Sequence, residues 1–479
     1  MLFNSIDFAI FLPIVFLLYW FVVNKNLKLQ NLLIVIASYL FYGWWDWRFL
    51  SLILFSTLID YSVGRKLLNE GNITKRKILL WVSILVNLGF LGFFKYYNFF
   101  LDNFIMAFSF FGTPINAQGL NIILPVGISF YTFQTLSYTI DVYKRKLEPT
   151  KDFIAFTAFV SFFPQLVAGP IERATNLLPQ FYKKRTFDYN KAVDGLRQIL
   201  WGLFKKVVIA DNCAQYANQI FNDTSDYYSG STLVLGAIFF TFQIYGDFSG
   251  YSDIAIGTSR LFGFNLKQNF ASPYFSRNIA EFWRRWHISL STWFKEYLYI
   301  PLGGSRGSMW MKIRNTFIIF IVSGFWHGAN WTFIVWGALN AIYFLPILIT
   351  NNNRNYLDIV AQGKILPSIK ELLLMSLTFG LTAFAWIFFR ADNIGHAVSY
   401  ISEIFSRSLF TIPEIRPRNL IIALALFIII EWVGRERLFA LSKIDYFESR
   451  LKRWSIYLII CFLIFLFQNN QEKFIYFQF

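Results

Sequence analysis

Long runs without any Asp, Glu, Lys or Arg alternate with short charged segments along the whole chain. The runs cover 8–24, 29–45, 49–59, 78–94, 103–140, 153–171, 227–246, 315–353, 372–389, 419–430 and 454–471. A bilayer core needs about 20 mostly apolar residues per helix, so 103–140 and 315–353 must each be divided. The pattern predicts an all-α integral membrane protein with about 10–12 membrane-embedded helices, including re-entrant and interfacial ones.

No repeat of fixed period is visible, and we therefore predict one polytopic membrane domain over residues 1–479. The segment 153–171 contains Pro164 and Pro170 and has basic loops on both sides, which predicts a re-entrant hairpin. Such a hairpin is stable only where protein shields it from lipid. The first run lacks a basic region before it and a small-residue cleavage site after it, so we interpret it as an uncleaved helix.

Composition supports the membrane class and excludes several others. The chain is 56% hydrophobic and only 15% charged, against roughly 25% charged in soluble domains. This excludes a disordered chain and an ordinary cytosolic enzyme. Cys213 and Cys461 have neither a CxxC partner nor a nearby histidine, so the sequence predicts neither a disulfide framework nor a thiolate metal site.

The net charge of +16 comes from cations in the loops between apolar runs. We therefore expect them to contact the anionic leaflet of a lipid bilayer, and we predict no nucleic-acid partner. Lys25 and Lys28 follow the first run, and further basic clusters lie at 65–77 and 144–146. The positive-inside rule places these loops in the cytoplasm and the N-terminus outside.

His327 is one of only three histidines and lies inside the run 315–353. One helix of 39 residues would be about 58 Å long, nearly twice a bilayer core, so the run must break, and Gly328 with Asn330 is the expected place. An ionisable side chain there usually faces the protein interior or a water-filled cavity. The simpler alternative is an interfacial histidine that hydrogen-bonds a neighbouring helix.

His287 lies in the sequence EFWRRWHIS at 281–289. A helix through 283–297 would place Trp283, Trp286, Leu290, Trp293, Phe294 and Tyr297 on one face and Arg284, His287, Ser291 and Lys295 on the adjacent one. Such a helix can lie at the membrane interface, or it can form a pocket wall that offers His287 and guanidiniums to an anionic ligand. The third histidine, His396, has the polar surroundings of a surface loop.

Asp247 and Asp253 follow the run 227–246 and are interspersed with Gly246 and Gly250. This predicts a bent segment that lines a polar cavity, where the carboxylates orient a histidine or pair with arginines. HxxxH and HxxE spacings are absent, so we predict no metal site. The sequence also lacks the motifs of nucleotide hydrolases, Ser-triad hydrolases and dinucleotide-binding enzymes.

These clusters resemble motifs of the membrane-bound O-acyltransferase family, and within it the bacterial branch of alginate O-acetyltransferases and D-alanyl transfer proteins. The matching stretches are QIYGDFSGYSDIAIG at 243–257, FWRRWHISLS at 282–291, YIPLGG at 299–304 and FWHGANW at 325–331, with MLFNS at 1–5 and FIYFQF at 474–479 similar to the alginate type. Gly246 stands where that type often has cysteine.

The resemblance implies helices around a central tunnel, with His327 as the catalytic histidine and His287 as the second, supporting position. We expect the residues around them to line the tunnel, namely Asp247, Asp253, Ser291, Trp326 and Asn330. The family moves an activated acyl group across the membrane to a hydroxyl, often through an extracytoplasmic partner that resembles an SGNH hydrolase. The resemblance places the chain in a bacterial cytoplasmic (inner) membrane.

Acyl transfer from a thioester to a hydroxyl needs a base and a path that excludes water. A histidine is mostly neutral at pH 7, so we assign His327 as the general base, or as the group that holds the acceptor hydroxyl. The expected donor is acetyl-CoA or an acyl carrier, with no tightly bound cofactor, and the acceptor is alginate or a similar polysaccharide. Candidate cations for the donor are Arg284, Arg285, Lys295 and Arg306, with Lys205 and Lys206 in addition.

Two alternatives stay open at this point. The same fold can transfer D-alanyl or long-chain acyl groups, and the width of the tunnel distinguishes these from acetyl. A transporter for an envelope glycan also has broken helices and polar groups within the membrane, but it predicts internal repeats.

Overall fold

The computed structural model describes residues 1–167, 169–223, 226–442, 444, 449–468, 472 and 474–475, and within them the chain is helical without any β-strand. Residues 476–479 of the aromatic C-terminal motif lie outside this described part. The α-helices of the described residues are α1 Ile6–Leu17, α2 Leu27–Asp46, α3 Leu50–Asn69, α4 Ile73–Leu91, α5 Tyr97–Phe110, α6 Ile128–Tyr143, α7 Phe153–Ser161, α8 Phe163–Leu166, α9 Ala174–Leu177, α10 Tyr189–Leu203, α11 Asp211–Asn222, α12 Gly230–Leu261, α13 Ile279–Arg285, α14 Ile288–Phe294, α15 Met309–His327, α16 Trp331–Ile349, α17 Ile369–Arg390, α18 Ile394–Ile404, α19 Arg418–Gly434 and α20 Arg450–Leu466. Two π-helical segments near the site follow α10 and α14, at Phe204–Ala210 and Lys295–Tyr299.

Four helical stretches among the described residues are long and apolar enough to cross a bilayer. They are Ile73–Phe110, which joins α4 and α5, and the helices α12, α16 and α17. The predicted class, an all-α integral membrane protein, is therefore confirmed. The number of membrane-embedded helices and the tunnel stay predictions.

The chain divides into two compact units, one of Met1–Ala192 with Thr258–Leu266 and one of Val193–Gly257 with Lys267–Phe479. This division into compact units does not test the single domain expected from the sequence, which stays a prediction. All of the site residues expected from the sequence belong to the second unit.

A buried carboxylate connects three helices of the first unit. Asp60 of α3 accepts hydrogen bonds from Ser83 Oγ at 2.5 Å and Asn87 Nδ2 at 2.9 Å, both on α4. Thr139 Oγ1 of α6 donates to it at 3.1 Å. Polar side chains of this kind hold helices together where lipid provides no hydrophobic driving force between them.

The segment expected to form a re-entrant hairpin consists of α7 and α8, with a break at Phe162. Residues 155–167 are all buried within the protein. Non-helical backbone at membrane depth needs this shielding, because lipid offers no hydrogen-bond partners. The depth of the hairpin in a bilayer stays a prediction.

In the second unit, the run 315–353 breaks where the sequence predicts. Helix α15 ends at His327 and α16 begins at Trp331, with Asn330 Oδ1 accepting from the Thr332 amide at 3.0 Å. The two helices approach closely, because Gly324 and Gly337 lie at their crossing. A Cβ at Gly324 would lie 2.2 Å from the Phe333 carbonyl oxygen, and one at Gly337 would lie 2.4 Å from that of Phe320.

The bent segment predicted at 245–253 is wrong, because these residues lie inside the continuous helix α12. Their glycines serve close packing instead. A Cβ at Gly250 would lie 2.8 Å from the Gly202 carbonyl oxygen, and one at Gly246 would lie 3.0 Å from that of Lys205. Sequence alone does not distinguish a glycine that bends a helix from one that lets a second backbone approach.

The single helix predicted through 283–297 is also wrong. Helix α13 ends at Arg285, and α14 starts after His287, whose backbone has φ 42° and ψ 55°. The two faces deduced from a continuous helix therefore do not exist. A non-glycine residue in this left-handed region costs about 1–2 kcal/mol, which local sequence patterns do not predict.

Substituting Gly324 with alanine should destabilise the α15–α16 pair, because the added methyl group would overlap the Phe333 carbonyl. We expect a loss of about 1–3 kcal/mol, the usual range for overpacking. Thermal unfolding of the purified protein in detergent measures it. Gly380→Ala is the matched control, because a Cβ at this exposed position of α17 meets nothing within 4 Å. Equal unfolding temperatures for the two variants would contradict the close approach.

Candidate active site

His327 is the last residue of α15 and is buried, with 4% of its surface exposed. Its ring packs edge-on against Trp336 at 5.2 Å and against Phe389 at 5.3 Å between centroids. The following chain is fixed by Asn330, which caps α16 and donates from Nδ2 to the Asp392 carbonyl at 2.8 Å. This asparagine therefore holds the turn after the histidine.

His287 lies in the turn between α13 and α14, outside the four membrane-length helices, and is 1% exposed. Its Nδ1 lies 3.0 Å from Asn269 Oδ1. The ring packs edge-on against Phe248 of α12, with centroids 4.6 Å apart. Burial lowers the pKa of His287 to about 3, so the imidazole is neutral at physiological pH.

The indole of Trp326 brings the two histidines together. Its ring centroid lies 4.9 Å from that of His327 and 6.2 Å from that of His287. Two imidazoles that are far apart in the sequence therefore border one aromatic side chain. The residues around them are largely apolar, which strengthens any hydrogen bond or charge interaction formed there.

A cavity of about 490 Å³ extends along one face of α15, over residues that precede His327 in the helix. Thr316, Phe320 and Ser323 line it from α15, at the helical spacing that leads to His327 one turn later. Its other lining residues are Ala280, Trp283, Arg284, Leu290, Ser291, Phe294, Lys295, Tyr299, Ser305, Ile319, Phe344, Leu348, Asn353, Arg354 and Leu357. The cavity thus combines an apolar wall with three cations.

Trp283 and Trp336 separate this cavity from His327. Trp283 lines the cavity and packs against Phe320 at 5.3 Å and Trp336 at 5.7 Å, while its Nε1 donates to Asn340 Oδ1 at 3.3 Å. Trp336 in turn contacts the His327 ring. These aromatic rings therefore lie between the cavity and the histidine.

The expected donor-binding cations occupy different environments. Lys295 is exposed at the cavity, and Arg284 lines it while donating to the carbonyls of Asn353 at 2.7 Å and Tyr356 at 2.6 Å. Arg285 lies outside the lining and pairs with Glu281 at 2.9 Å. Arg306 is exposed and is also outside the lining, although its neighbour Ser305 belongs to it. Ser291, one of the expected tunnel residues, lines the same cavity.

Asp247 is buried and Asp253 is half-buried, and both pair with lysines rather than with arginines. Lys206 Nζ lies 2.8 Å from Asp247 and 2.7 Å from Asp211, and Lys205 Nζ lies 2.6 Å from Asp253. Both lysines belong to the π-helical segment after α10 and are almost fully buried. These lysine–aspartate pairs therefore belong to the internal structure, and none of their residues lines the cavity of 490 Å³.

Comparison with known proteins identifies the family of the chain. Residues 143–370 match the model of the membrane-bound O-acyltransferase family. A probable alginate O-acetylase of Pseudomonas aeruginosa is 40% identical over 426 residues, which cover 88% of this chain and 78% of the relative. A peptidoglycan O-acetyltransferase of Helicobacter pylori is 38% identical, with coverage of 84% and 79%.

The chain belongs to the membrane-bound O-acyltransferase family. It is therefore a multi-pass membrane enzyme, which decides against the transporter alternative. A teichoic acid D-alanyltransferase of Bacillus subtilis is similar at a lower level, 27% identical over 291 residues, covering 58% of this chain and 71% of the relative.

Sequence reasoning missed two residues of this O-acyltransferase that the structure brings to the site. Arg354 lines the cavity from the segment between α16 and α17. Asn269 contacts His287 across 18 positions of sequence. A basic residue directly after the run 315–353 was the available signal for Arg354, whereas nothing local marked Asn269.

The backbone at His287 allows a test of local strain. His287→Gly and His287→Ala both remove the imidazole, but only glycine adopts a positive φ without steric cost. We therefore expect the glycine variant to be more stable than the alanine variant by about 1 kcal/mol. Thermal unfolding of both variants in the same detergent measures the difference, and a more stable alanine variant would contradict the left-handed turn.

Proposed function

We propose that this enzyme takes an acetyl group from acetyl-CoA on the cytoplasmic side of a bacterial inner membrane and passes it across for O-acetylation of an extracytoplasmic polysaccharide. The observation that carries the proposal is the position of His327, which two tryptophans separate from a cation-lined cavity and which shares its neighbour Trp326 with a second buried histidine. The relatives named as O-acetylases of alginate and peptidoglycan support the acetyl group and the polysaccharide class.

His327 is the general base in this proposal. Its imidazole takes the proton of the acceptor hydroxyl while that oxygen attacks the thioester carbonyl. The new C–O bond forms, the C–S bond breaks, and the proton passes to the departing thiolate. A positioned base of this type contributes about 10²–10⁴-fold to the rate. The apolar surroundings of the ring reduce competing hydrolysis.

The cavity of 490 Å³ is the proposed site for the acylated arm of the donor. Lys295 and Arg354 are exposed cations at this cavity and suit the phosphates of coenzyme A. Arg284 is held by two backbone carbonyls, so we assign it to the wall that supports the site. The tryptophans between the cavity and His327 favour a short acyl group over a long one.

The proposal also covers a partner protein and the residues that support the two histidines. An extracytoplasmic protein that resembles an SGNH hydrolase receives the acetyl group and delivers it to the glycan. Asp247 and Asp253 support the site indirectly, because their pairs with Lys206 and Lys205 fix α12 against the neighbouring helix. Trp326 and Asn330 position the two histidines.

Replacing His327 with alanine should lower the rate of acetyl transfer at least 100-fold, while the protein stays inserted in the membrane. Mass spectrometry of ester-linked acetyl groups on the extracellular and cell-wall glycans of a strain carrying the variant measures this. His396→Ala is the control. This histidine lies in the first turn of α18, and its replacement should leave acetylation unchanged. Near-normal acetylation with His327→Ala would refute the assignment of the base.

Reversing the charge of Lys295 and Arg354 together should raise the KM for acetyl-CoA about 10-fold or more, since a contact to a charged group is worth about 1.5–3 kcal/mol. The kcat should change little, because His327 is untouched. Steady-state kinetics with the purified enzyme separate the two constants. Lys370→Glu, an exposed charge reversal outside the cavity lining, is the control, and an unchanged KM in the double variant would remove this cavity from the donor site.

A further inference from the structure

Asn269 is a fully buried side chain that makes hydrogen bonds on both sides of the turn containing His287. Its Oδ1 lies 3.0 Å from His287 Nδ1 and accepts from Ser289 Oγ at 2.9 Å and the Ser289 amide at 3.3 Å. Its Nδ2 donates to Ser252 Oγ of α12 at 3.1 Å. One asparagine thus connects the histidine turn to a membrane-length helix.

These contacts determine which atom of the amide faces the histidine. The Ser289 backbone N–H can only donate, so the atom that it contacts must be the amide oxygen. The same oxygen faces His287 Nδ1. An amide oxygen can only accept, so His287 Nδ1 must carry the proton.

The opposite nitrogen of the ring is then an acceptor. With the proton on Nδ1, a neutral imidazole has its lone pair on Nε2. Nε2 is buried and has no hydrogen-bond partner among the described residues. A buried acceptor of this kind is costly unless a ligand or water satisfies it.

The backbone reinforces this arrangement. The Ile288 amide donates to the Asn269 carbonyl at 2.9 Å, so the main chain and side chain of Asn269 both hold the turn.

We propose that Asn269 is a positioning residue for acyl transfer, which holds His287 with its proton on Nδ1 so that Nε2 accepts a hydrogen bond from an O–H or N–H group of a substrate. The inference rests on the proposed function, because it gives the second histidine of the same site a role in binding a substrate. Asn269 itself acts through His287 and does not touch the reacting atoms.

The tautomer can be measured independently of activity. Because the chain has only three histidines, ¹⁵N-histidine labelling gives a resolvable spectrum, and His287→Gln assigns the signals. We expect the full-length protein in detergent to show His287 as the neutral Nδ1–H form. A neutral Nε2–H form in the wild-type protein would overturn the inference.

Asn269→Leu removes the accepting oxygen at similar volume and should release the tautomer preference. The kcat should fall about 10- to 100-fold, the value of one lost hydrogen bond at a buried site. The KM for acetyl-CoA should stay within about twofold, because Asn269 does not line the donor cavity. An altered tautomer with an unchanged kcat would overturn the positioning role.

Asn269→Asp is the conservative variant, and it keeps the inference testable if the leucine variant does not fold. The aspartate retains an accepting oxygen, so the Nδ1–H form and most of the kcat should return at high pH. The negative charge of the aspartate raises the pKa of His287. Because the imidazolium lacks the accepting lone pair, kcat should be lost at a higher pH than in the wild-type enzyme as the pH falls. An unshifted acid limb of the kcat profile would count against the inference.

Ser289→Ala is the matched control, because it removes one donor to the same oxygen without changing the acceptor offered to His287. Its histidine spectrum should match that of the wild-type protein. The outcome for His327→Ala separates the two proposals. Retained acetylation in that variant refutes the proposed base, whereas the tautomer of His287 and its response to Asn269 are read from the spectrum alone.

Discussion

The close approach of α15 and α16 is the contact on which the site depends. Gly324 and Gly337 let the two backbones meet at distances that any Cβ would prevent. Because α15 ends at His327 directly after this crossing, the histidine is held against Trp336 of the partner helix. Between membrane helices, such packing replaces the hydrophobic driving force that is absent in lipid. The position of the imidazole therefore follows from two residues that have no side chain.

Several charged groups of low exposure in the second unit pair with one another. Lys205 and Lys206 each have aspartate partners, and Arg285 pairs with Glu281. Buried charges need such partners because the cost of desolvation is large. The cations left at the cavity surface, Lys295 and Arg354, are exposed. The structure thus places two buried histidines in largely apolar surroundings, apart from the exposed cations of the cavity.

Several local features could be predicted because they depend on length or on residue chemistry alone. A run of 39 residues is too long for one span, and Gly328 with Asn330 marked its break, which the structure confirms. The turn at His287 could not be predicted, because the tryptophans around it have helical spacing whether or not the helix is interrupted there. The role of the glycines of α12 could not be predicted for a related reason, since the backbone atoms that they approach, at Gly202 and Lys205, lie outside α12.

The sequence by itself determined the all-α membrane class and directed attention to His287 and His327, because hydrophobic run length and the rarity of histidine are properties of the chain. Tertiary structure alone decided that Trp326 lies beside both histidines, that Arg354 reaches the cavity and that the Asn269 side chain contacts His287. Each of these depends on residues that are distant in sequence and adjacent in space. Helical periodicity describes which face of one helix is apolar, but it carries no information about what packs there.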